Sequence, residues 1–467
     1  MPRLLAGGAA ALLALAVSGC GDHDRADLTG PAMALPRATV AMVAVDLHPN
    51  AGESARARGL ASAAGYDSPL KLAGPVAREL AEDLGERGAV FLLPAGDGEG
   101  LNSGAIAEAR SPRAALDAAR LVRPLVRAER KRRGGVVKGG TDAVHALARL
   151  RASPTAAAAA GRWVIWGDPR AVRAAVVATN GVSLGETVPF RRAVEHFRGD
   201  GPGLLYLDPR ALAGAMVAGA LGVRAPQGGA LADAFLGVRF ARPVGGTATL
   251  GGNRITIDTG AEDGCPALPL ADAGGAPGDA DLVAGLPLYG LAQQQCHPRK
   301  VSSVRVSVPG FGRFDLDRAL GWLKPSRVAV QDGALALAAR VTDRAAATAQ
   351  LPRVRRALDR IPGVRARLKG TTLDVRARGL PPIRLAVRPD RALIFIGTPP
   401  PPSSRQMRET PPYAGAVRAL GDRRLTALAR RPAPGVEYVA AGAERDGATV
   451  RGSGARIVVR FAPTPPR

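Results

Sequence analysis

Gly181-Val182-Ser183-Leu184-Gly185 spells the G-x-S-x-G pattern of a hydrolytic nucleophile, with His196 and His297 downstream as candidate bases. That chemistry needs a strand before the serine and a helix straight after it, so that a strained turn lifts the hydroxyl into the open. Here the order is reversed. Residues 170–179 read as a helix, Asn180 as its cap, and Glu186-Thr187-Val188-Pro189 as loop. Gly96-Asp97-Gly98-Glu99-Gly100 suggests a phosphate loop, but no Lys-Ser or Lys-Thr follows, and Asp97 and Glu99 would repel a phosphate; it reads as a hairpin connection. Asp46 and His48, two apart, share a strand face and read as a strand-end pair. Arg198-Gly199-Asp200 matches an adhesion tripeptide in letters and reads as a turn. The chain has no Cys-x-x-Cys, His-Glu-x-x-His or calcium-loop pattern, and its 5 histidines are scattered. Neither a metal nor a cofactor is expected, and no catalytic set is legible.

The cysteines carry more information. Arg3 precedes the uncharged apolar run Leu4 to Val17, and Val17-Ser18-Gly19-Cys20 closes it with small residues before a thiol. The run is too short to span a bilayer and reads as a lipoprotein signal over 1–19, removed to leave Cys20 as the lipid-bearing first residue. Export follows, with the protein held at the outer face of the cytoplasmic membrane and 20–37 as a flexible tether. Two thiols then remain in an oxidising compartment, Cys265 and Cys296, and they are expected to pair. Closing a loop of about thirty residues stabilises by about 3 kcal/mol in the chain-entropy picture. A reactive Cys296 assisted by His297 is the weaker reading, because neighbours in a strand point to opposite faces.

The charge of +24 is unevenly spread. Residues 20–264 hold 30 basic and 25 acidic side chains, whereas 265–467 hold 33 and 15, so the surplus sits in the second half. Arg353, Arg355, Arg356, Arg360, Arg365, Arg367, Lys369, Arg376 and Arg378 face only Asp359 and Asp374 over one segment. Outside the cytosol, nucleic acid is not the expected partner; anionic lipid headgroups and acidic wall polymers are. Each cation near such a surface contributes on the order of 1 kcal/mol.

These residues are positioned by an alternation of elements. Strands are expected near 39–47, 89–93, 105–109, 136–137, 162–167, 204–207, 237–240 and 247–257. Helices are expected at 75–84, 112–130 with a kink at Pro124, 170–179, 190–197 and 211–223. The order then recurs. Val43-Ala44 matches Val283-Ala284, Arg113-Ala114 matches Arg344-Ala345, Trp163 to Gly167 matches Leu393 to Gly397, Pro189-Phe190 matches Pro412-Tyr413, Gly199-Asp200 matches Gly421-Asp422, and Ala248-Thr249 matches Ala448-Thr449. The spacing falls from 240 to 200 without reversing, as one colinear duplication predicts. The fold class expected is α+β, two related modules over 38–264 and 281–467 around a junction at 265–297, each a mostly antiparallel sheet with packed helices. The helix at 211–223 is peculiar to the first copy. It reads as core packing, with the wall of an acyl-chain groove as the alternative.

Gly161 to Val172, Val188 to Val194 and Leu205 to Pro209 form a succession that resembles an uncharacterised family of secreted proteins and lipoproteins of high-GC Gram-positive bacteria. The likeness is clearest over 112–209. It fades in the second copy, where Thr398-Pro399 replaces Asp168-Pro169 and Pro399 to Pro402 disrupts the helix. It implies an envelope protein of alternating helices and strands and carries over no catalytic residue. Together these observations favour non-catalytic binding of an anionic envelope component, with a Ser183 hydrolase or an acyl-chain carrier as alternatives.

Overall fold

The computed structural model describes residues 27–48, 52, 55, 80, 82–95, 101–133, 156–195, 197, 203–221, 229, 243–251, 253–259, 273–286, 305–308, 312–315, 323–332, 334–360, 363–377, 381–398, 403–432, 436–446 and 449–462. Cys20, Cys265, Cys296, His196, His297, the 96–100 loop, the 198–200 turn and the strands expected at 136–137 and 237–240 lie outside them.

In the first half, β1 (Ala41–Asp46) pairs with β2 (Leu84–Pro94) on one side and β6 (Gly203–Leu207) on the other. From β2 the sheet continues through β3 (Leu101–Ala109) and β5 (Trp163–Gly167) to an edge at β4 (Ala156–Ala160). From β6 it continues through β7 (Val244–Gly251) to β8 (Arg254–Thr259). In the second half, β9 (Leu282–Leu286) lies between β12 (Leu323–Gln331) and β18 (Arg424–Arg430). Beyond β12 come β13 (Ala334–Val341), β17 (Arg391–Ile396), β16 (Ile383–Val387), β15 (Thr372–Ala377) and the other edge, β14 (Val364–Lys369). Beyond β18 come β19 (Val436–Asp446) and β20 (Thr449–Phe461). β8 and β20 pair with each other, so both halves belong to one 18-stranded antiparallel sheet. A separate ladder joins β10 (Arg305–Val308) to β11 (Gly312–Asp315).

Helices cover both sides of this sheet. On one face lie α1 (Pro112–Arg133), α4 (Pro209–Leu221) and α5 (Arg344–Leu358), over Val90, Ala105, Ala107 and Val164 in the first half and Leu373, Val375 and Val387 in the second. On the opposite face lie α2 (Pro169–Ala178), α3 (Val188–Val194), α6 (Pro411–Leu420) and short 3-10 turns at Gly30–Ala34, Ala273–Gly275 and Met407–Glu409. Burial on both faces explains why the strand at 89–93 reads as an unbroken apolar run. Asp168 ahead of Pro169 starts α2 as the sequence predicts, its carboxylate accepting from the Arg170 N–H at 2.9 Å.

Four expectations are corrected. Residues 28–36, assigned to the tether, pack instead: Leu28, Ala32, Ala34 and Leu35 are buried against Met42, Phe91 and Leu184. Ala156–Ala160 is a strand that the reading missed, because alanine is the strongest helix former. Pairing with Trp163–Gly167 overrides that propensity, and the small side chains admit α1 and α2 on the strand's two faces. Strand β3 begins at Leu101, four residues before the strand expected at 105–109. Finally, Ala248 lies in β7 while Thr449 opens β20, so register does not support matching these two segments.

Candidate functional site

The cations of 353–369 do not form one cluster. Ala347, Leu351, Val354 and Leu358 recur at helical spacing along α5 and pack on Leu373, Val375 and Val387, so Arg353, Arg355 and Arg356 are left on the helix's outer side with Arg360 just beyond it. Arg355 already pairs with Asp359 at 3.3 Å. On β14 the burial alternates strictly: Val364, Ala366 and Leu368 turn toward α5, and Arg365, Arg367 and Lys369 turn to the opposite face.

Register extends that second row. Arg365 lies opposite Arg376 and Arg367 opposite Asp374 on β15, and Asp374 lies opposite Arg384 on β16. Five exposed cations thus share three strands with one carboxylate, which Arg384 engages at 2.7 Å. Alternate residues of a strand stand about 6.8 Å apart and neighbouring strands about 4.8 Å apart, so the cations form a grid at the spacing of charges along a phosphodiester polymer or a headgroup layer. The face continues onto Phe395 and Leu393 of β17 and Ala336 and Ala338 of β13, all partly exposed. In the first half, α2 covers strands β3, β5 and β4. Among the described residues no helix packs on this side of β14–β17. The chain between β17 and Met407 contains Pro399 to Pro402, and four consecutive prolines cannot donate the hydrogen bonds of a helix.

Ser183 sits elsewhere, in a bridge to Pro36 on the far side of α2. It is 1% exposed, its Oγ has no hydrogen-bond partner, and its N–H donates to Glu186 Oε2 at 2.9 Å. A helix precedes it and α3 starts only after the cap Thr187, so the strand-turn-helix of a nucleophile elbow is not built. Asp46 accepts from the His48 N–H at 2.8 Å, a turn at the strand end. The helix expected at 211–223 is α4. Its Ala211, Leu212 and Ala215 pack on Val40, Ala41, Leu92, Leu101 and Leu207, which is core contact. Among the described residues no three His, Cys, Asp or Glu side chains gather as a metal site, and no helix is long and apolar enough to cross a membrane.

No family model, curated protein or solved structure matches this chain.

Reading by charge count could not separate the faces of the 353–378 segment. It also missed Arg384, which lies beyond the segment it counted. The signal was there: β14 alternates apolar and basic residues from Val364 to Lys369, and period two assigns every cation to one side.

Proposed function

We propose that the chain is a lipid-anchored extracytoplasmic protein, built from two copies of one α+β module, whose second copy binds a polyanion of the cell envelope on the open face of β14–β16. The observation that carries the binding reading is the row Arg365, Arg367, Lys369, Arg376 and Arg384, offset among the described residues by Asp374 alone, on a face that no described helix covers. Anchoring rests on Val17-Ser18-Gly19-Cys20, and the resemblance of 112–209 to secreted lipoproteins agrees with it.

Several independent details support the duplication. The pairings β5–β3–β2–β1–β6–β7–β8 recur as β17–β13–β12–β9–β18–β19–β20. Pro36 bridges Ser183, and Pro277 bridges Gln406. Leu184 N–H donates to Leu35 O, and Met407 N–H to Ala276 O, both at 2.7 Å. Thr187 Oγ1 donates to Leu184 O, and Thr410 Oγ1 to Met407 O, again both at 2.7 Å. Gly167 and Gly397 close their strands at φ 136 and 97, each against the start of the neighbouring strand. The spacing falls along the chain, from 241 at Pro36 and Pro277 through 230 at the glycines to 223 at the threonines. Ile257 and Ile457, 200 apart, face each other where the halves join.

The test uses the lipid-free mature chain with two probes, vesicles containing anionic phospholipid and a soluble phosphodiester polymer. Arg365→Gln, Arg367→Gln and Lys369→Gln together should weaken binding by about 3 kcal/mol at low salt, roughly a hundredfold. The triple change Arg353→Gln, Arg355→Gln and Arg356→Gln should weaken it far less. Equal losses from both triples, or none from the first, would refute the assignment. Retained binding to only one probe identifies which polyanion the face takes.

A further inference from the structure

The turn around Ser183 carries a second surface. Met33, Val177, Val182 and Val188 are 53%, 71%, 60% and 50% exposed, among the most exposed large apolar side chains of the described residues. They flank one seam. The Gly30–Ala34 turn is stitched to 184–185 by Leu184 N–H to Leu35 O and Gly185 N–H to Ala32 O, and a Cβ at Gly185 would run into the Met33 sulfur. Val182 adjoins the buried Ser183 and points outward from the bridge, Val188 opens α3, and Val177 ends α2 just before the turn. Arg37 follows Pro36 of the same bridge, and Arg173 stands one turn before Val177; both are exposed.

The fold does not need these apolar groups. The matching seam in the second half keeps the bond from Met407 N–H to Ala276 O and that from Thr410 Oγ1 to Met407 O, with Arg405 in the place of Val182 and Pro411 in the place of Val188. Side chains that can be arginine without loss of the turn are not there to hold it. Exposed apolar groups gathered in one place mark an interaction surface.

We infer that this patch rests on the lipid bilayer in which Cys20 is anchored. The inference rests on the lipid-anchor reading and adds to it an orientation. Asp27, where the described chain starts, is seven residues from Cys20, and a fully extended chain of that length reaches at most about 25 Å. The 3-10 turn bearing Met33 begins three residues further on, so the anchor holds this patch in the neighbourhood of the membrane. Apolar side chains rimmed by arginines are the composition of an interfacial contact, the methyl groups entering the acyl boundary and the guanidinium groups meeting phosphates.

The experiment uses the full lipidated protein reconstituted in phosphatidylcholine–phosphatidylglycerol vesicles, with bromine on the acyl chains near the headgroups. Val182→Trp adds a fluorophore in the patch; Leu116→Trp adds one at a 54% exposed position of α1, on the opposite face of the sheet. Flotation with the vesicles reports the anchor. Bromolipid should quench most of the emission added by Val182→Trp and leave that added by Leu116→Trp unchanged. Equal quenching at both sites, or iodide reaching Val182→Trp as freely as Leu116→Trp, would overturn the orientation while leaving the anchor intact. Shielding from iodide without bromolipid quenching would also overturn it, pointing to a second protein surface. Failure to float would remove the anchor, and the inference with it.

Discussion

Arg87 and Arg327 occupy corresponding places on β2 and β12, and each reaches a backbone carbonyl at a 3-10 turn, Arg87 that of Asp27 at 3.4 Å and Arg327 that of Gly275 at 2.8 Å. Arg87 also meets an acid across the strands. Glu108, 7% exposed, takes its Nε at 2.7 Å and also pairs with Arg162 at 3.3 Å. The strand partner of Arg327 is Ala338. The arginine thus has a buried carboxylate beside it in the first half and an alanine as its strand partner in the second. The apolar seam of one half and the arginine-bearing seam of the other differ in the same way: similar turns, braced by similar hydrogen bonds, carry different side chains outward.

The sharpest way to break this contrast is Glu108→Ala, which gives the first half the second half's residue. It should cost about 3 kcal/mol, because Arg87 loses its buried carboxylate and keeps only the longer contact with Asp27 at 3.7 Å; a fall in the urea midpoint at unchanged slope is the measurement. A cost under about 0.5 kcal/mol would mean that the carboxylate is dispensable and the contrast incidental. Next in size is the pair Thr187→Val and Thr410→Val. Thr187 both donates to Leu184 O and accepts from the Phe190 N–H at 3.3 Å, whereas Thr410 makes no side-chain cap bond. Thr187→Val should cost about 1–2 kcal/mol and Thr410→Val about half of that in the same titration. The smallest effect belongs to Ser183→Ala. A buried hydroxyl with no partner contributes nothing by hydrogen bonding, so its removal should leave the midpoint unchanged or raise it by up to about 1 kcal/mol. Measured destabilisation above that would show that Ser183 is bonded after all.

The helix at 169–178 and the strand at 163–167 were legible because Gly-Asp-Pro punctuates them and their periodicity is unambiguous. The recurrence at Pro189-Phe190 and Pro412-Tyr413 was legible too, yet the stronger identity just before it, Glu186-Thr187 with Glu409-Thr410, went unremarked, since a two-residue match means little until both are seen to brace the same turn. Ala156–Ala160 was illegible in principle: nothing in five alanines announces a strand, and only the neighbouring strand decides it. The division of the cations between α5 and β14 was hidden for a different reason. A count of charges has no sense of side until the period of each element is assigned.

The ladder between β8 and β20 carries a consequence for assembly. Its members are 200 residues apart, so during synthesis from the N-terminus the first half can complete its own strands while β8 still waits with one edge unsatisfied. An idle edge invites pairing with a stranger. Arg254 and Asp258 place opposite charges along that short rim, and once β20 arrives Asp258 receives Arg456 at 2.7 Å and Arg423 at 2.8 Å. One carboxylate can therefore act first as a guard against aggregation and afterwards as the clasp that fastens the finished molecule.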